Sequence, residues 1–581
     1  MFEVITHDHI ARIGKLREIF TPAISFVKNG KITITDGKNE YYLDSKEIFY
    51  FPDLAPMFRD EIVKKTIEDI CKNVPENAVI SISYYPNPDV YEALSGIAPK
   101  YVLIRNLHIA TIRRIIDFFT RLREFIPWDT PIHVVSNIRS DFIPFLVYLG
   151  ADIIDVSAQL FKIDYGITVK ILESFFVDSF LLEITHEKDK KTKKEMLFKW
   201  FLSTFSKIRK LIEKGLFRHF IENWSLGNQD TDAFLAIIDN EFQNRLTPYV
   251  SMRKPKVNIF ISQLSFSRPI ITWYYNRLKE RYIPPTVKAV IIFPCAARKP
   301  YSFSKSHRLF KQAVTSGAGR LAYLIHELMI TSPIGTVPRE LERTYPCAHY
   351  DTTTTGHWSD WEKNHVAKML DDYFNKISSK PVVLLHVDGG YLEAALTFFE
   401  KSKIEYYITG TKGGDVRSDE SLRELASKLN EVLSDEEFDK SRYMKRQLED
   451  VRNILAYQFG NKIAKEIVNN APEIRGSIVK GDIRIGNLFA FDSVFGLFIP
   501  LKGGARILSE AKTHLAEIKE LPKDNNINAE NIEWISDNVE SGNYFVCLKD
   551  GEPVVSALAL FPSNVIKRTR KGIVARIVRR F

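Results

Sequence analysis

An α/β protein of several domains is predicted by three features of the chain. Apolar strand patterns alternate with amphipathic helix patterns over most of its length, as in parallel α/β packing. Its 581 residues, at roughly 150 per domain, imply about four domains. From about residue 460 the pattern changes to short strands and turns, which predicts one or two small β-rich modules at the C-terminal end.

In chain order, KITITDGKNEYYLDS (31–45) predicts a hairpin about Asp36-Gly37. Strands follow at AVISIS (78–83), YVLIR (101–105), IHVVS (132–136) and ADIIDVS (151–157). Helical stretches such as IATIRRIIDFFTRLREF separate them, so this part is expected to form either a barrel or a doubly wound sheet. Residues 187–216 are lysine-rich and helical and are expected at the surface. A second α/β unit begins near Lys256, with strands at VKAVIIF (287–293), ELMITS (327–332), VVLLHV (382–387) and EYYIT (405–409). Their following loops are PCAARKPY, PIGTVPRE, DGGY and GTKGGD. Ligands of open parallel sheets sit at the carboxyl ends of the strands, so these four loops are expected to converge on one crevice. The charged helical stretch SDESLRELASKLNEVLSDEEFDK then leads to the strand patterns of 481–500, 544–561 and 572–581.

The composition is that of a globular protein, 45% hydrophobic and 26% charged, which excludes a fibrous or disordered chain. Apolar stretches break before the roughly 18 residues that a spanning helix needs. The first residues, MFEVITHDHIARIGKLREIF, lack the pattern of a signal peptide. Cys71, Cys295, Cys347 and Cys547 are too few and too scattered for a disulfide framework or a metal knuckle. A cytoplasmic protein with reduced thiols is expected. The net charge of +9 is uneven: Lys567, Arg568, Arg570, Lys571, Arg576, Arg579 and Arg580 stand in the last 20 residues with no acid among them. Such an end suits a polyanion, because each cation that neutralises a phosphate releases a counterion; a solvated charged edge is the alternative.

The densest polar cluster, Pro294 to His307, follows the most hydrophobic strand of the second unit, so Cys295 is expected at the carboxyl edge of its sheet. A thiol near Lys299 and a helix N-terminus is expected to have a depressed pKa and to be a competent nucleophile. His307 offers an acid or base near neutral pH. Asp388, after a buried strand, suits either a substrate ammonium or a turn cap. Gly413-Gly414 lacks the surrounding pattern of a phosphate loop, so no nucleotide cofactor is expected. Cys71 and Cys347 are expected to be structural, and His7 and His9 to be surface residues.

The cluster reads PC-x3-KPY-x2-S-x2-H, and in this form it resembles the signature of the archaeosine synthases, archaeal enzymes acting on 7-cyano-7-deazaguanine in the D-loop of tRNA. Pro294, Cys295, Lys299, Pro300, Tyr301, Ser304 and His307 all match. SPIGTVPRELE (332–342), YP-x3-YD (345–351) and TGHW (355–358) are similar to the same family. The segment TPIHVVSNIRSDFIPFLVYLGADIIDVSA resembles the catalytic barrel of archaeal tRNA-guanine transglycosylase, and the C-terminal end resembles a PUA domain, an RNA-binding module. The resemblance implies a transglycosylase-like α/β barrel over 1–255 and a parallel-sheet α/β catalytic core over 256–455. It further implies an α+β connector over 456–509 and a PUA-like domain over 510–581. The transglycosylases bind zinc through three cysteines and a histidine, whereas SFFVDSFLLEITHEKDK (174–190) holds only His186. Four-coordinate zinc lacks its ligands here, so a degenerate domain without metal is expected, with Asp152 and Asp155 structural.

What the resemblance implies is addition of free lysine to the nitrile of 7-cyano-7-deazaguanine at position 15 of tRNA, with a separate radical enzyme then releasing archaeosine. The catalytic residues would be Cys295, Lys299, Tyr301, Ser304 and His307, with His307 or Tyr301 as the acid. Pro294, Ser332, Glu340, Asp351 and Asp388 would bind substrate, and Lys567, Arg568, Arg570 and Lys571 the RNA. No cofactor and no membrane are expected, and the oligomeric state stays open, a homodimer included. A zinc-independent transglycosylase and a non-catalytic tRNA-binding protein are the rival readings.

Overall fold

The strand pattern at 287–293 becomes the fully buried strand Ala289–Pro294 in a computed structural model. The structure describes residues 2–53, 58–75, 78–164, 187–253, 257–353, 356–410, 414–471 and 473–581. Two compact units result. One comprises Met1–Lys256, Pro522–Ser541 and Ala559–Arg576, the other Val257–Leu521, Gly542–Leu558 and Ile577–Phe581.

The first unit opens with an antiparallel meander of β1 (Phe2–Asp8), β2 (Ala11–Leu16) and β3 (Ile19–Thr21), which the sequence reading did not anticipate. An eight-stranded sheet follows. Its strands are β4 (Ala23–Lys28), β5 (Lys31–Thr35), β6 (Glu40–Leu43), β7 (Ile48–Tyr50), β8 (Val79–Ser83), β9 (Tyr101–Arg105), β10 (Ile132–Val134) and β11 (Ile153–Asp155). They run in the order β6-β5-β4-β11-β10-β9-β8-β7, parallel from β4 to β7, with the β5–β6 hairpin antiparallel at one edge. Asp36 shapes that hairpin by accepting from the N–H groups of Lys38 and Asn39, and Gly37 takes a φ of +95° that a side chain would disfavour. The sheet keeps two edges among the described residues, so the expected barrel is present there only as an open α/β sheet. Helix Ile112–Phe125 covers it with Ile115, Ile116, Phe119 and Leu122, one face at helical spacing. Asp152 accepts from Arg12, Arg123 and the backbone of Ile132, all buried, so this aspartate is structural. The segment holding His186 lies outside the described residues up to that residue. His9 departs from expectation: it is buried and bonded to Asp8, because the β1–β2 turn folds inward.

In the second unit, β12 (Asn258–Phe260) pairs with β16 (Tyr350–Thr352) beside a five-stranded sheet of order β15-β14-β13-β17-β18. Its strands are β13 (Ala289–Pro294), β14 (Ile325–Thr331), β15 (Gly335–Pro338), β17 (Val382–Leu385) and β18 (Tyr406–Ile408). All are parallel except β15, which turns back on β14. Buried on both faces, β13 reads as a continuous apolar run for that reason. Beyond it lie a four-stranded antiparallel sheet over 474–500 and a sheet segment in which Tyr544–Lys549 pairs with Leu515–Ile518 and with residues 552–558. The C-terminal end is thus β-rich. Among the described residues no helix is long and apolar enough to cross a membrane.

Candidate active site

Cys295 follows the last residue of β13, and its N–H continues the ladder by donating to the carbonyl of Ile330 at 3.1 Å. It lies in an open cleft of about 1100 Å³ at the carboxyl ends of β13 and β17. Pro294, Cys295, Ser304, Asp388, Tyr391 and Val416 all contribute to its wall. Three of the four loops expected to converge therefore do so; 333–340 instead forms the turn after β14 and the strand β15, and does not line the cleft.

Of the four cysteines only Cys295 is not buried. Burial pushes the Cys71 thiol up to about 11 and that of Cys347 to about 12, so both behave as small apolar side chains. The Cys295 Sγ lies 3.1 Å from the hydroxyl of Tyr391, on the first turn of helix Gly389–Phe399. Tyr391 was not singled out in the sequence; its signal was the tyrosine closing the DGGY loop. Trp358 of the TGHW string packs edge-on against it, ring centres 5.1 Å apart. Gly390 permits this approach, since a Cβ there would stand 2.2 Å from Trp358. Burial, followed by the charge of Cys295, raises the pKa of the Tyr391 phenol.

The rest of the signature builds the support under the thiol. Ser304 caps helix Lys305–Ala318 by accepting from the N–H of His307 at 3.2 Å. The His307 ring spans two partners: Nε2 lies 3.0 Å from the carbonyl of Pro294, and Nδ1 lies 2.9 Å from an Arg339 guanidinium nitrogen. An arginine can only donate, so Nδ1 accepts and Nε2 carries the proton. Burial, then the Arg339 charge, lowers the His307 pKa to about 3. The ring is therefore neutral near pH 7, with its one proton on Nε2 directed at the carbonyl of Pro294, the residue that precedes Cys295.

Tyr301 is buried, with its hydroxyl 2.8 Å from that of Tyr350, which also bonds Thr331 at the end of β14. Lys299 lies with its ammonium 4.0 Å from the centre of the Tyr350 ring. Burial lowers its pKa, and the charges of Cys295 and Asp351 oppose that shift. Asp351 is exposed and accepts from the N–H of Thr352. Asp388 stands at the start of its helix without capping it, and accepts instead from Val416 N–H at 3.3 Å across the cleft.

Two expected binding residues are committed elsewhere. Ser332 donates to Glu362, itself in a capping box with Ser359. Glu340 is buried and accepts from Tyr282, His326 and Asn453 at 2.8 to 3.0 Å. Neither lines the cleft. Of the basic tail, Lys567 pairs with Asp537, and Arg568 bonds the carbonyls of Arg123 and Asn564. Arg570 holds Asp129 and the carbonyls of Ala98 and Pro99, while Lys571 is exposed. Among the described residues no group of three or more His, Cys, Asp or Glu side chains is arranged to hold a metal.

A domain of unknown function (DUF5591) matches residues 271–429, the five-stranded sheet and its helices. The archaeosine synthase subunit alpha of Thermococcus kodakarensis is 28% identical over 481 residues, 81% of this chain and 79% of that protein. The subunit of the same name from Methanosarcina acetivorans is 29% identical over 70% of this chain and 67% of its own. A crystal structure of a protein of unknown function covers 53% of this chain and 99% of its own, at 24% identity and a TM-score of 0.41.

Proposed function

We propose, taking homology to archaeosine synthase alpha subunits over most of the chain as the premise, that this protein adds free lysine to the nitrile of 7-cyano-7-deazaguanine in tRNA. The observation that carries this reading is the thiol–phenol pair, Cys295 and Tyr391, in an open cleft at the carboxyl end of the central strand.

A nitrile carbon is electrophilic, and its nitrogen must take a proton as a nucleophile adds. The Cys295 sulfur adds to the carbon, and the thiol proton passes by way of the Tyr391 hydroxyl to the nitrogen, giving a thioimidate. The lysine amine then attacks the same carbon. The carbon–sulfur bond breaks, and the amine proton returns to sulfur. The product is an amidine that carries lysine, and Cys295 is regenerated. Atoms balance without a redox partner or a nucleotide. Splitting one addition into two is the usual gain of covalent catalysis. Lys299 keeps positive charge near the thiol, Asp388 faces the cleft as a carboxylate for the incoming ammonium, and Tyr301, Ser304 and His307 hold the frame.

The tRNA is held partly by the PUA-like C-terminal end, in which Lys567, Lys571, Arg576, Arg579 and Arg580 are exposed cations of the basic string. A separate radical enzyme releases archaeosine from the lysine adduct. The reading is tested by incubating tRNA that carries 7-cyano-7-deazaguanine with lysine and the protein, then digesting it to nucleosides for mass spectrometry. A nucleoside heavier by one lysine is expected. Unchanged 7-cyano-7-deazaguanine overturns the proposal.

A further inference from the structure

Three cations stand at the mouth of the Cys295 cleft, apart from the basic tail. Arg298, Lys305 and Arg308 are exposed and line the cleft together with Phe303. None of them is ion-paired with a carboxylate among the described residues. Arg308 makes one long bond, 3.4 Å to the carbonyl of Ser304, and Arg298 lies 5.9 Å from the centre of the Phe303 ring. Carboxylates are close by, yet are engaged otherwise: Asp415 is bidentate with Arg417, and Asp388 accepts from Val416.

Folding does not explain this arrangement. Lys305 and Arg308 open helix Lys305–Ala318, whose first turn contains no acid. Cations there oppose the helix dipole. Beside them Phe303 is 39% exposed; the buried Arg343 guanidinium lies 5.1 Å from its ring centre, and the exposed part of the ring lines the cleft. Unpaired cations interleaved with an exposed aromatic side chain are the chemistry of single-stranded nucleic acid, with phosphates on the cations and a base stacked on the ring.

We propose that Arg298, Lys305, Arg308 and Phe303 form a binding track for the RNA strand next to the reacting base. The inference rests on the function proposed above and names a second grip on the same substrate, at the site of chemistry. A base buried in a tRNA fold has to leave its stack to reach Cys295. Holding the flanking phosphates at the cleft mouth, with a neighbouring base on Phe303, stabilises that extruded strand.

The test uses the full chain and unmodified tRNA, so that it is independent of the nitrile chemistry. Binding is measured against salt for the wild type, for R298A/K305A/R308A and for F303A, with circular dichroism and melting as checks on folding. Each lost phosphate contact to a single strand is expected to flatten the slope of log K against log salt by about 0.7. The triple variant should therefore lose about two units of slope and at least tenfold in affinity at moderate salt. F303A should weaken binding several-fold with the slope unchanged, since stacking releases no counterions. A folded triple variant with wild-type affinity and slope overturns the proposal, and so does a wild-type protein that binds no tRNA. Normal RNA binding without lysine transfer would leave this track standing and remove the function.

Discussion

The hydroxyl of Tyr391 lies 3.1 Å from the sulfur of Cys295, although 96 residues separate them in the chain. The contact arises because β13 and β17 are parallel neighbours whose carboxyl ends deliver Cys295 and the DGGY loop to the same edge of the sheet. It gives the thiol a hydrogen-bonding partner that can relay a proton.

Tyr391→Phe is expected to slow lysine addition about 10- to 100-fold, the cost of one hydrogen bond to a charged or developing charge. Affinity for tRNA should stay near that of the wild type. The rate of Cys295 alkylation by iodoacetamide, followed against pH, should move with the substitution. An unchanged alkylation profile together with unchanged turnover would mean that the pair only packs.

His307→Gln is expected to lower activity while preserving the shape of its pH profile, because burial and the Arg339 charge hold the native ring's pKa at about 3, so its titration lies below the working range. Loss of one limb of the profile would restore His307 as an acid or base.

The buried histidines also set an acid limit on stability. Burial lowers His133, His307 and His514 to about 3, and His365 and His386 to about 4. The unfolded chain binds these protons near 6.5, whereas the native state stays unprotonated. Stability is therefore complete above about 6.5 and is lost as pH falls from there towards 3–4. The melting temperature should already decline between pH 6.5 and 5, before most carboxylates titrate. A flat melting temperature over that range contradicts the assignment.

Arg570→Ser is expected to destabilise the first unit by about 1–2 kcal/mol, because it leaves Asp129 and two carbonyls without their donor. Lys571→Ser should leave the melting temperature unchanged and raise KM for tRNA, not kcat, since a phosphate contact acts on ground and transition states alike. Equal melting temperatures for the two variants would contradict this division of the tail.

Asp152→Ala should cost about 3–5 kcal/mol, because Arg12 and Arg123 would remain buried without their carboxylate. Chemical denaturation measures it directly, and a loss under 1 kcal/mol would contradict the structural role.

Most central strands of both α/β sheets were legible because each is a short apolar run bounded by polar loops, whereas Ala23–Lys28 and Ile48–Tyr50 were not read as strands and Gly335–Pro338 was read as loop; Cys295 was legible from its place after the most hydrophobic strand. The meander over 2–21 was not, since its buried groups include polar residues such as Asp8 and Arg12, which break the apolar alternation. The role of His307 was hidden for a different reason. Its pKa depends on burial and on Arg339, which lies 32 residues away and approaches only once β14 and β15 fold back. Tyr391 closes one of the loops expected at the crevice, yet nothing local in the sequence marks it as the neighbour of Cys295. Its partner is set by strand order alone.

In the proposed reaction the Cys295 thiol carries the nitrile carbon. Incubation of the protein with tRNA bearing 7-cyano-7-deazaguanine in the absence of lysine, followed by nuclease and protease digestion, should yield a Cys295 peptide carrying the modified nucleotide as a thioimidate. Added lysine should discharge it. A peptide that never gains the adduct, together with full turnover by Cys295→Ala, would contradict the central claim.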